Sequence, residues 1–113
     1  MKRPVLAALS IGLLGLACVS NLVQAQGVPD PCKLYLCMAS VSGYSTPAQG
    51  CEETIAYWHT PTPDGLAVYY YTFQPQPSYE LRLHFMQQCK GSQQVQNNSD
   101  IFNTIMREWG HEP

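Results

Sequence analysis

Four cysteines, Cys32, Cys37, Cys51 and Cys89, constrain this chain more than any other feature. A fifth, Cys18, belongs to a different kind of segment. Lys2 and Arg3 precede an apolar run from Val5 to Val19, interrupted by Ser10, Gly12 and Gly15, and Ser20-Asn21 and Val23-Gln24-Ala25 follow. A basic start, a short apolar middle and two small residues two positions apart are the layout of a secretory signal peptide. The run is shorter than the ~20 residues of a membrane-crossing helix. Cleavage after Ala25 is therefore expected in preference to an uncleaved anchor, with no stable membrane span afterwards. Lipidation at Cys18 is the weaker alternative, because Gly15 stands where a lipobox wants Leu. The leader carries two of the six basic residues and none of the eight acidic ones, so the remaining 88 residues carry a net charge of −4. Its removal also turns an odd cysteine count into an even one, as a disulfide framework in an oxidising compartment requires. The expected location is the periplasm.

A domain of this size buries a modest share of its surface. Two cross-links would each add about 2–4 kcal/mol, mainly by restricting the unfolded chain. Against a total stability of about 5 kcal/mol for a small domain, that decides whether it folds. Asp30-Pro31 reads as a helix start, with Asp as N-cap and Pro at the first helical position. On such a helix Cys32 and Cys37 point about 140° apart and cannot bond to each other. Two pairings remain: Cys37–Cys51 with Cys32–Cys89, or Cys32–Cys51 with Cys37–Cys89. The first is preferred, because the end of one helix and the start of the next face each other across a single loop. A zinc site is disfavoured, since only one pair of cysteines is closely spaced. The C-x-x-C spacing of a redox pair is absent.

The spacing predicts a single all-α domain over residues 26–113, stapled by disulfides and built of about four short helices. They cover Pro31 to about Ser40, Cys51 to about His59, about Ser78 to Cys89, and Ser99 to about Trp109, with Ser78 and Ser99 as caps. Cys51, Ile55 and Trp58 share a face of the second. Ile101, Phe102, Ile105, Met106 and Trp109 form a core-facing stripe on the last. Tyr79, Leu81, Leu83 and Phe85 alternate as in a strand, yet the scarcity of β-branched residues and the Glu, Arg, Met and Gln content favour a helix. Leu66 to Phe73 is rich in strand formers but has no evident partner strand. It leaves room for one short extended segment across the helices, or for a short helix. Its Tyr69, Tyr70, Tyr71 and Phe73 either pack over the helices or form an exposed aromatic contact patch.

Charged residues make up only 12% of the chain and acids outnumber bases, so there is no electrostatic footprint for direct nucleic-acid binding. No H-E-x-x-H, phosphate-binding glycine loop or G-x-S-x-G is present. No catalytic, metal-ligating or cofactor-binding residues are expected, and the chain is not expected to be an enzyme. The enzyme alternative is peptidoglycan cleavage by a carboxylate pair drawn from Glu52, Glu53, Glu80 and Glu108. Each reads more simply as a solvated helix residue. An envelope inhibitor or exclusion factor is a third reading.

Asp30-Pro31-Cys32-Lys33-Leu34-Tyr35-Leu36-Cys37-Met38-Ala39, then Ser42-Gly43 and Gly50-Cys51, resembles the opening of the TrbM (KikA-like) conjugal transfer proteins. The aromatic segment before a helix ending Phe85-Met86-Gln87-Gln88-Cys89 resembles the second half of that family, and the likeness spans most of residues 30–110. The resemblance implies an exported accessory protein of bacterial conjugation, working with envelope proteins of the mating-pair (type IV secretion) apparatus. It implies four structural cysteines and no catalytic residues.

Overall fold

The computed structural model describes residues 27–94 and 96–113. The expected leader over residues 1–25, with Cys18, lies outside them. The described residues form four helices: α1 (Pro31–Val41), α2 (Cys51–His59), α3 (Pro75–Gln87) and α4 (Gln96–Trp109). A two-stranded hairpin, β1 (Tyr69–Tyr70) and β2 (Thr72–Phe73), separates α2 from α3. The fold is thus a small all-α domain stapled by two disulfides.

α1 is the central helix and packs against α2, α3 and α4. Its start is the capped Asp-Pro turn: the Asp30 carboxylate accepts the Lys33 amide at 3.2 Å, and Pro31 gives up no needed donor. Leu34, Tyr35, Cys37, Met38 and Ala39 are all buried, as expected of a helix surrounded by others. Leu34, Met38, Trp58, Met86, Phe102, Ile105 and Met106 make up most of the core. The cysteines pair Cys37 with Cys51 and Cys32 with Cys89, with Cα separations of 5.5 and 4.7 Å. The first bridge ties the second half of α1 to the first residue of α2. The second ties the first turn of α1 to the turn after α3.

Three local readings are corrected. α3 begins at Pro75, not Ser78. Pro75 and Pro77 fall in the first turn, where the amides have no intrahelical partner, so missing N–H groups cost nothing there. Ser78 is fully buried and is not the cap. α4 begins at Gln96, a turn before Ser99. There the Gln96 amide nitrogen donates to Asp100 at 2.9 Å, and the Asn98 side chain donates back to the Gly91 carbonyl at 3.1 Å. Finally, Leu66 to Phe73 finds its partner within itself, as the hairpin.

The stripe on α4 faces the core, with Phe102, Ile105 and Met106 buried and Ile101 and Trp109 half-buried. On α2 the buried residues are Thr54 and Trp58, while Cys51 and Ile55 are half-buried. Side-chain bonds connect distant segments, among them Tyr35 to the Asn98 carbonyl, Tyr44 to Thr104, Trp58 to the Trp109 carbonyl and Trp109 to Ser42, at 3.0 to 3.2 Å. No helix among the described residues is long and apolar enough to cross a membrane.

Candidate functional site

The aromatic segment is divided by its own geometry. β1 and β2 pair antiparallel, with Tyr69 opposite Phe73 and Tyr70 opposite Thr72, and Tyr71 forms the turn. A reversal this tight needs a left-handed residue, and Tyr71 adopts φ 64° although it is not glycine. That conformation costs an L-residue of this size about 1–2 kcal/mol. Tyr69, Tyr70 and Tyr71 are 46, 70 and 96% exposed, and the Tyr71 ring meets the likewise exposed Tyr70 edge-on, at 5.0 Å between centroids, so little burial within the described fold repays the strain. From Gly65 to Tyr79 the chain carries no charged residue. The tip is a neutral, hydrogen-bonding aromatic surface.

The hairpin is braced from behind. The Gln74 amide donates to the Val68 carbonyl at 2.8 Å, closing its base. The Gln74 side chain reaches forward to the carbonyls of Tyr70 and Thr72 at 3.4 and 3.2 Å. The Val68 amide donates to the buried Ser78 hydroxyl at 2.8 Å. Phe73 turns inward, half-buried, and meets Tyr69 edge-on at 5.5 Å between ring centroids. Of the two readings, Tyr70 and Tyr71 follow the exposed one, and Phe73 follows the packed one.

Beneath Phe73 lies Arg82, 0% exposed. One guanidinium nitrogen faces the carbonyls of Trp109, Gly110 and Glu112 at 3.0, 2.9 and 2.7 Å, and the other donates to the Trp58 carbonyl at 3.0 Å. The carbon of the group sits 5.0 Å from the Trp58 ring centroid and 5.5 Å from that of Phe73. A planar fork with donors at its edge and two π-faces suits this surrounding, and an ammonium would not. Its Nε has no partner among the described residues. Burial pulls the guanidinium down to about 10, while Tyr69 and Glu112 act in the opposite sense. It stays cationic at neutral pH.

Neither Ser78 nor Arg82 was expected to be central. The signal was nonetheless present. At 100° per residue, Ser78, Arg82 and Met86 share one face of α3, with Leu81 and Phe85 on one side and Tyr79 and Leu83 on the other. The alternating apolar residues are the half-buried flanks of a stripe whose centre is polar over two turns.

The four glutamates stay apart in role. Glu52, Glu53, Glu80 and Glu108 are all exposed. Glu53 alone of them lines the open groove of about 510 Å³ between the starts of α1 and α2, beside Asp30, Lys33, Tyr57 and Asp64. Among the described residues no group of three His, Cys, Asp or Glu is placed to hold a metal ion. Comparison with protein-family models, curated proteins and solved structures finds no match to this chain.

Proposed function

We propose that this protein is an exported accessory component of bacterial conjugation that supports the mating-pair apparatus through protein–protein contacts made at the tyrosine tip. The observation that carries the contact reading is the strained, braced and almost fully exposed Tyr71. Tyrosine offers large, rigid contact area at low entropic cost, which is why it is enriched where proteins bind one another. The two disulfides support export, since such bonds persist in oxidising compartments. The D-P-C-x₄-C-M-A stretch, folded as a capped helix with each cysteine in a different bridge, supports the conjugative setting through its likeness to the TrbM proteins.

The test is genetic. Deleting the gene from a conjugative plasmid should lower transconjugant counts, and wild-type protein should restore them. A Tyr70→Ala/Tyr71→Ala variant, present in the periplasm at normal level, should not. Unchanged or increased transfer after deletion would count against an assisting role. Full complementation by the double variant would remove the tip from the function. Fragment release from purified peptidoglycan, lost on substituting Glu53 with Gln, would replace the proposal with the enzyme reading.

A further inference from the structure

We infer that residues 109–113 are a clasp on the tyrosine hairpin, with Arg82 as the positioning residue that links the two. The inference rests on the tip being the contact surface, and it adds the means by which that surface is held or released.

The segment after α4 turns back over the ends of α2 and α3 and is fastened at three places. His111 stacks on Tyr79 at 4.3 Å between ring centroids and approaches Gln76 at 3.1 Å. His59 on α2 lies 2.9 Å from the Pro113 oxygen. Between them, Arg82 gathers the carbonyls of Trp109, Gly110 and Glu112. The same guanidinium carries the Phe73 ring on its face, and Phe73 in turn carries Tyr69. Tail and tip therefore share one buried cation.

That sharing makes the two segments depend on each other. A buried cation is tolerable only while its donors are satisfied. Arg82 already leaves Nε without a partner, and three of its four acceptors belong to the tail. Withdrawing the tail strips those acceptors, and the guanidinium must shift towards water. Phe73 then loses the surface it rests on, and the turn at Tyr71, held against its own strain, loses its footing. Coupling of this kind is reciprocal: freeing the hairpin must loosen the tail by the same factor. A partner that grips residues 109–113, or one that grips the tyrosines, would each be sensed at the other place.

Two substitutions in the full disulfide-bonded protein test this, read by hydrogen exchange at single amides without any partner. Gly110→Ala puts a Cβ against the Met106 carbonyl and 2.5 Å from the Tyr79 ring, so the tail must leave its path. The amides of Val68 and Gln74, at the hairpin base, should then exchange about fivefold faster or more, the lower end of measured couplings between sites. Those of α1 should be unchanged. Phe73→Leu removes the ring from Arg82 and leaves every tail bond in place. The amides of Gly110 and Glu112 should exchange about fivefold faster or more, fivefold being the size of one cation–π contact at an exposed site and less than that of a desolvated one. If Gly110→Ala does not fold, Phe73→Leu decides alone. Remote amides within about twofold of wild type would overturn the clasp, and so would equal acceleration in α1, which would mark general destabilisation. A clasp that passes while the Tyr70/Tyr71 variant still supports transfer would leave the coupling standing and remove the contact reading.

Discussion

Replacing Arg82 with Met tests whether a buried cation without a carboxylate partner holds this fold together. Met has no polar atom and keeps the packing of the stem, but it ends where Nε stands, so it also gives up the guanidinium's contacts with Trp58 and Phe73. Four carbonyls lose a donor. The Trp109 carbonyl still receives the Trp58 indole at 3.2 Å, and Glu112 is exposed, so water can serve its carbonyl. The carbonyls of Trp58 and Gly110 remain, both in buried surroundings, and each orphaned acceptor costs about 1–3 kcal/mol. Relief of the desolvated charge and of the unpartnered Nε returns part of that. The net expectation is a loss of about 3 kcal/mol, or a melting temperature lower by about 12–24 °C for a domain of this size. Guanidinium chloride unfolding with disulfides intact, followed by the fluorescence of Trp58 and Trp109, measures it directly. Arg82→Lys sharpens the test. Lys keeps the charge but cannot span the Trp58 carbonyl and the tail carbonyls at once, so it should be no more stable than Met. A Met variant within about 1 kcal/mol of wild type would refute the reasoning, because even one orphaned carbonyl exceeds that. Recovery by Lys would show that charge, and not the fork, is what matters.

Breaking Cys37–Cys51 by substitution with Ser should cost about 3 kcal/mol and breaking Cys32–Cys89 about 4, from the lengths of the loops they close; both should lower the midpoint of denaturant unfolding, the second more. Alkaline pH should destabilise the fold through its tyrosines. Burial pushes Tyr57, and burial together with Tyr44 pushes Tyr35, above the ordinary 10.0, so the unfolded chain loses these protons first. Their stabilisation is complete below about pH 10 and is lost as pH rises through the higher folded values. Arg82, which burial pulls down to about 10, opposes this over the same range. Tyr35→Phe should flatten the fall in denaturation midpoint above about pH 10; parallel curves for variant and wild type would refute the assignment. Tyr71→Gly should leave stability equal or raise it by up to about 1 kcal/mol, since relief of the left-handed strain outweighs the added freedom of the unfolded chain. A clear loss of stability would mean that the Tyr71 ring is held by the fold.

The helix inventory was legible wherever the signal was local. Asp30-Pro31 marks a start that needs only its own turn, and the stripe on α4 needs only one core to face. Helix geometry left two cysteine pairings, and the single loop between α1 and α2 favoured the one that forms. The start of α3 was misread because two prolines after a strand-forming run look like punctuation. They are equally at home in a first turn, and only the hairpin's closure at Gln74 shows which. The Tyr71 turn was illegible for a related reason: its φ is imposed by pairing of Tyr69 with Phe73, not invited by the residue. Arg82 was the largest omission. A lone arginine on a helix is normally solvated. Its burial depends on residues 109–113 returning from 27 or more positions away to supply carbonyls.

Covalent and polar bonds divide the molecule between them. Both disulfides involve α1, and they reach α2 and the end of α3. Neither reaches the hairpin, α4 or the tail. α4 is held by its buried stripe of Phe102, Ile105 and Met106. The hairpin and residues 109–113 are tied by single side chains gripping backbone: Ser78 on Val68, Trp58 on Trp109, and Arg82 on Trp58, Trp109, Gly110 and Glu112. Bonds of this kind are worth about 1–3 kcal/mol each, so they can open and close without unfolding what the disulfides hold. The exposed tyrosines stand on the polar, reversible half of the structure. A contact surface built there can be stiff enough to bind and still be switched, while the cross-linked half stays folded.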